Sequence, residues 1–156
     1  MAYNNNSNPT PDARTASTTY PATGTGAWTS GFVAYIPIPL LNSVIAGIVM
    51  MVIGLGQRKK GGVAAQNGAN AANWGVLQIV IPVIFFATMT IGLLAGEKTE
   101  TGVRMHGGMG AALVVIGILW FLSCIAHLVV IIVGIVKSRR GEVLRIPLKI
   151  FKAPQQ

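Results

Sequence analysis

The sequence predicts an all-α integral membrane protein: three transmembrane helices, the first kinked or preceded by an interfacial helix, behind a polar extended N-terminal tail. Three observations carry that prediction. Hydrophobic residues make up 52% of the 156 positions and charged ones only 10%, where a soluble chain averages about 25% charged. Residues 109–136 hold no charged side chain; as a helix they would extend roughly 42 Å at about 1.5 Å per residue, against a hydrocarbon core of about 30 Å. Immediately behind them come Lys137, Arg139, Arg140, Arg145, Lys149 and Lys152, the cationic flank expected of a span's cytoplasmic end.

The formal net charge of +8 does not point to nucleic acid. Nucleic-acid binders carry their cations on an otherwise polar, water-exposed surface, whereas here the cations adjoin apolar spans and match anionic lipid head groups. The single cysteine, Cys124, lies inside an apolar run and allows no intrachain disulfide.

Residues 1–26 form a separate polar, low-complexity tail of Asn, Thr, Ser, Pro and Gly, with Asp12 and Arg14 as its charges. It lacks the apolar surface to fold alone, and no positive stretch leads directly into a short apolar core as in a secretory signal. Residues 27–136 are the membrane domain. Its first apolar region is interrupted. Trp28, Phe32 and Tyr35 precede Pro37 and Pro39, so residues 28–36 read as an interfacial lead-in and residues 40–56 as the spanning part. A re-entrant hairpin is the alternative, and it would move the N-terminus to the cytoplasmic side. Gly47 and Gly54, seven apart, place two small residues near one face as a candidate helix contact.

Residues 57–73 read as the first loop, opening with Arg58, Lys59 and Lys60. From Val63 onward the spacing is helical, with Asn67, Asn70 and Asn73 on one side; such residues near a membrane boundary usually bond backbone or a neighbouring helix. Trp74 marks the interface, and a second span follows over residues 75–94 with Pro82 inside it. The second loop, residues 96–106, carries Glu97, Lys98, Glu100 and Arg104 and is neutral, while Arg58, Lys59 and Lys60 give +3 and residues 137–152 give +5. Placing both basic segments in the cytoplasm leaves the neutral loop and the N-terminal tail outside. Residues 137–156 are then a basic cytoplasmic tail. Arg145, Lys149 and Lys152 are expected to face head groups, with Ile146, Leu148, Ile150 and Phe151 dipping into lipid.

The chemistry is sparse. No acidic residue lies between Asp12 and Glu97 or between Glu100 and Glu142, so a proton pathway would have only His127 to titrate. His106 and His127 are 21 residues apart, about 31 Å along one helix, and cannot share an iron. Met105, His106 and Met109 form a small soft-ligand cluster, but one His and two Met in a Gly-rich loop read better as an interfacial turn than as a copper site. His127 is expected to bond across a helix contact, with Ser123 one turn away as a candidate partner. No catalytic residue, cofactor site or metal site is assigned. The third span opens with two overlapping small-residue pairs, Gly107 with Ala111 and Gly108 with Ala112, and Gly110, Gly117 and Gly134 add further notches for close helix approach.

The run from Lys59 to Val76 (KKGGVAAQNGANAANWGV), followed by paired spans and the closing Gly141, Glu142, Arg145, Pro147 and Leu148, resembles a widespread bacterial family of small membrane proteins of unknown function. That family is distantly related to the small channel-type component of the chloroplast inner-envelope translocon. The likeness covers about residues 31–152. It departs at Ile146, where the family often has an aromatic residue, and in a first loop less acidic than usual. The resemblance implies a bacterial plasma-membrane protein with no established activity.

The expectation is therefore a non-catalytic accessory or structural subunit of a larger plasma-membrane complex, with a respiratory or transport assembly as natural host. Its partners would be membrane lipids, through Arg58, Lys59, Lys60, Lys137, Arg139, Arg140, Arg145 and Lys149, and other integral membrane subunits, with the N-terminal tail on a partner surface. The alternative, an oligomeric channel or protein-translocation component, rests on the plastid analogy. Its pore lining would be confined to Gln78, Thr88, Thr90, Ser123, Cys124 and His127.

Overall fold

The Leu-, Val- and Ile-rich runs form two long helices, α3 (Gly62–Ala95) and α4 (Met109–Arg139), in the computed structural model, which describes residues 21–36 and 41–154. The tail up to residue 20 and the Pro37–Pro39 step lie outside those residues. Both helices are long and apolar enough to cross a membrane, and only 17% and 11% of their most apolar stretches are buried inside the chain. A soluble core helix would be mostly enclosed; these leave Val114, Val115, Ile118, Phe121, Leu122, Ile125 and Val129 uncovered, a surface that requires lipid or another apolar helix around it. The protein is mostly helical and membrane-embedded.

Ahead of these lie α1 (Thr25–Thr29), a 3₁₀ segment (Ser30–Tyr35) and α2 (Asn42–Arg58). A two-stranded hairpin, β1 (Glu97–Thr99) and β2 (Gly102–Arg104), joins α3 to α4. It is a small departure from an all-α fold, and it pairs Glu97 with Arg104 across the strands, an opposite-charge pair that favours this register.

The first apolar region doubles back instead of crossing once. Thr25 Oγ1 lies 2.9 Å from Ser138 Oγ, the Trp28 ring fills the notch at Gly134, and the Tyr35 hydroxyl donates to the Cys124 carbonyl at 3.2 Å. Residues 25–35 thus run antiparallel along α4, from its basic end toward its middle. The Asn42 amide then donates to the Ala34 carbonyl at 2.8 Å, closing a hairpin from which α2 returns to the basic end. At 17 residues, α2 is about 26 Å long, short of the hydrocarbon thickness. Three spans are therefore not confirmed: among the described residues α3 and α4 are long and apolar enough to cross a membrane, and α2 is a shorter apolar helix. Asn67 bonds both the Thr23 and the Glu142 carbonyls, at 3.0 and 2.9 Å, so residues 23 and 142 share one end with Lys59 and Lys60.

The loop expected over residues 57–73 shrinks to a tight turn, because the Ala-rich stretch from Gly62 continues into the span as one 34-residue helix. Ala64, Ala65, Ala69, Ala71 and Ala72 are buried there and let α2 lie close alongside. A Cβ on Gly47 would come within 2.5 Å of the Gly75 carbonyl oxygen, and the reverse holds for Gly75. Gly54 and Gly68 meet in the same reciprocal way two turns on. Backbones at this distance are held by packing rather than by water release, the device that works in lipid. Further along, Phe85 and Phe86 of α3 pack on Trp120 of α4, one tilted and one edge-on, with centroids 5.0 and 5.5 Å apart. Trp28 (0% exposed) joins Ala27, Met50, Ala71, Ile131 and Ile146 in the core, so its ring packs inside the protein.

Gly54→Leu should force α2 off α3 and cost about 1–3 kcal/mol or more, read as a lowered melting temperature in detergent, whereas Gly56→Leu, which meets open space, should leave it unchanged. With Cys124 replaced by Ser, single cysteines introduced as Ala22→Cys and Pro154→Cys should label from the same face of sealed vesicles; labelling from opposite faces would overturn the hairpin.

Candidate functional site at the basic end

The polar residues of α3 converge on the C-terminal segment. Gly141, at φ 74°, ends α4 in a Schellman cap, its N–H donating to the Ser138 carbonyl and that of Glu142 to the Lys137 carbonyl. Pro147 keeps the following segment from resuming a helix, so its remaining backbone groups need partners elsewhere. Asn67 and Asn73, six apart on α3 and both essentially unexposed, supply them. Asn67 donates to Thr23 O and Glu142 O and accepts from Leu144 N–H at 3.1 Å. Asn73 donates to Phe151 O at 2.9 Å and accepts from Phe151 N–H at 2.7 Å; its amide pairs with that backbone as a neighbouring strand would. Between the two clamps Ile146 enters the core at 6% exposure, with Leu144 and Leu148 packed beside it. The expectation that Ile146 and Leu148 dip into lipid is thus corrected: they pack on the protein. Ile150 remains exposed.

Directly after the second clamp, Trp74 donates its indole N–H to His127 Nδ1 at 2.9 Å, and His127 Nε2 lies 3.0 Å from the Gly31 carbonyl. Because an indole can only donate, Nδ1 must accept and Nε2 must carry the proton given to Gly31. Both ring nitrogens are engaged by the fold, tying α3, α4 and the 3₁₀ segment together. The partner of His127 is thus Trp74 and not Ser123, which donates to the Trp120 carbonyl of its own helix. Beside this network Ala34, Tyr35, Asn42, Ser43, Gln78, Cys124 and His127 line a cavity of about 90 Å³, where the Gln78 amide nitrogen is enclosed without a hydrogen-bond partner.

The outer surface of the clamped segment forms a second, larger cavity of about 300 Å³ against the first turns of α3. Gln66 and Asn70 line it from the helix; Arg145, Lys149 and Lys152 line it from the extended segment. All three cations are exposed, and no acidic side chain is among the lining residues. Asn73 fixes the backbone of Phe151, one residue from Lys152, so the clamp fixes the backbone from which these cations project.

The residues singled out in the sequence fall into different places. Gly47 and Gly54 lie in the α2–α3 contact, and Gly117 faces Phe85. Gly107 and Gly108 have open space around them, and in the first turn of α4 Ala111 is exposed and Ala112 half-buried. Arg58 and Lys137 are half-buried, with Arg58 Nε enclosed and unpartnered, while Lys59, Lys60, Arg139, Arg140, Arg145 and Lys149 are exposed. Met105 and Met109 approach Gly92, but His106 points to solvent beside them. The sequence reading missed Gly75 and Gly68 as the partner notches, and missed the cationic cavity. The available signal was a helix-breaking Pro147 in a segment full of unpaired backbone groups, opposite a row of asparagines.

Residues 22–152 match the family model described as the magnetosome magnetite crystal formation protein family, MamF/MmsF. No curated protein and no solved structure matches the chain.

Asn73→Ala strands both backbone groups of Phe151 and should cost about 1–3 kcal/mol. Trypsin should then cleave after Arg145 and Lys149 several-fold faster, whereas Asn70→Ala, whose side chain holds no backbone among the described residues, should leave the rate unchanged.

Proposed function

Because the chain belongs to the magnetosome magnetite crystal formation family, we propose that it is a non-catalytic accessory protein of the membrane in which magnetite crystals form. The observation that carries this reading is the division of its side chains. Buried polar groups such as Asn67, Asn73 and His127 are engaged in holding the fold, while the long faces of α3 and α4 are apolar and open. Among the described residues no group of three His, Cys, Asp or Glu side chains is placed to hold a metal ion. In this reading the protein affects the crystal through the membrane and through other integral proteins.

The uncovered face of α4 around Val115, Ile118, Leu122, Ile125 and Val129 suits helices of partner subunits as well as acyl chains. The basic end, holding residue 23, Lys59, Lys60 and residues 137–152, is the cytoplasmic end by the positive-inside bias; the β-hairpin and His106 then face the opposite compartment. The channel or translocation alternative, with its plastid kinship, is less favoured. Thr88 and Ser123 donate to carbonyls of their own helices and Gln78 lies in an internal cavity, which leaves little to line a pore.

Deletion in a magnetite-forming bacterium should change crystal size or shape in electron micrographs, with restoration by the full chain. Unchanged crystals would overturn the reading, and reproducible conductance of the purified protein in planar bilayers would replace it with the channel.

A further inference from the structure

We propose that the cavity between the first turns of α3 and the C-terminal segment is a binding site for the phosphate group of an anionic lipid. Its lining is the basis. Arg145, Lys149 and Lys152 converge with the side-chain amides of Gln66 and Asn70 around about 300 Å³, a volume sufficient for a phosphate with part of its glycerol. Arginine presents a planar fork of donors to phosphate oxygens, lysine a mobile point charge, and Gln and Asn neutral N–H donors. Residues 143–156 contain no acidic side chain, and Glu142 is the sole carboxylate after Glu100, so the three cations crowd one another with little internal neutralisation.

The clamp makes this a site rather than a basic tail. Lys and Arg on a free segment would spread apart. Here Asn67 pins Leu144, Ile146 is anchored in the core, and Asn73 pins Phe151, which fixes the segment carrying Arg145 and Lys149 at both ends and places Lys152 next to the second clamp. The cost of gathering like charges is met in the fold, before any anion arrives.

The depth of the cavity selects lipid over free phosphate. Asn67 bonds Glu142, just past the charged end of α4. Asn73 adjoins Trp74, which is bonded to His127, twelve residues and so about 18 Å before the end of α4. The cavity therefore begins at the charged end of the apolar helices and runs toward their apolar part, and Val143, Phe151 and Ala153 add an apolar side to its lining. A lipid satisfies both halves of that surface at once; inorganic phosphate satisfies one. The proposal needs the chain to be membrane-embedded but is independent of any role in crystal formation.

The test uses the full chain in detergent, with melting temperature and native mass spectrometry as readouts and phosphatidylglycerol, phosphatidylcholine and inorganic phosphate as probes. Phosphatidylglycerol should raise the melting temperature and stay bound at one per chain, phosphatidylcholine should do neither, and millimolar phosphate should neither stabilise nor displace. The variant Arg145→Gln/Lys149→Gln/Lys152→Gln should lower phosphatidylglycerol affinity on the order of 100-fold, about fivefold per cation. The charge-matched variant Lys59→Gln/Lys60→Gln/Arg139→Gln, whose residues lie outside the cavity, should keep it. Asn70→Glu, which leaves the cations intact, should weaken binding as well and serves if the triple variant does not fold. Equal losses in the two triple variants, retention by Asn70→Glu, no phosphatidylglycerol effect, or saturation by inorganic phosphate would each overturn the proposal.

Discussion

One asparagine side chain holds together three parts of the chain that are far apart in sequence. Asn67 bonds backbone at Thr23, Glu142 and Leu144, which places the start of the first hairpin, the first turns of α3 and the segment after α4 at a single level. A buried amide with three partners is well satisfied, whereas one with none would be costly in a low-dielectric surround. The rest of the basic end follows from that bond. The C-terminal segment is committed to run back over α3, Ile146 is delivered to the core, and Asn73 completes the attachment six residues further along the helix.

The second constraint is steric. A hairpin of α1, the 3₁₀ segment and α2 can be seated against two long helices only if the backbones come close, and the pairs Gly47–Gly75 and Gly54–Gly68 together with the Gly134 notch for Trp28 permit that. Where lipid surrounds a bundle there is no water to expel between helices, so close contact and satisfied polar groups supply the cohesion. The division within α3 reflects this. Its first half is Ala, Asn and Gly and is buried against the hairpin and tail; its second half is bulky, aliphatic and open.

The same logic explains what His127, Trp74, Asn67 and Asn73 do inside this membrane chain. His127 is a joint, with one nitrogen accepting from Trp74 and the other donating to Gly31. Polar groups at such depth are commonly functional, but here their function is to fix the relative positions of helices. Exposed cations at the rim, Arg145, Lys149 and Lys152 among them, take no part in these joints.

From sequence alone came everything that depends on composition and on a continuous run. The membrane environment, the spans at residues 75–94 and 109–136, the helical phase of Asn67, Asn70 and Asn73, and the basic end are all legible because each rests on residues near one another in the chain. The path of the first apolar region was not legible, since a 30-residue stretch broken by prolines fits a single crossing and a hairpin equally well, and only its contacts with α4 distinguish them. Nor was the cationic cavity legible. Arg145 and Lys149 look the same to local pattern whether they lie in head groups or beside Gln66 and Asn70, and the choice is made by hydrogen bonds spanning nearly 80 residues, from Asn67 to Leu144 and from Asn73 to Phe151. Hydropathy reports what surrounds a segment; which segment lies beside which is decided by where its unpaired backbone groups find partners, and that exists only in the folded chain.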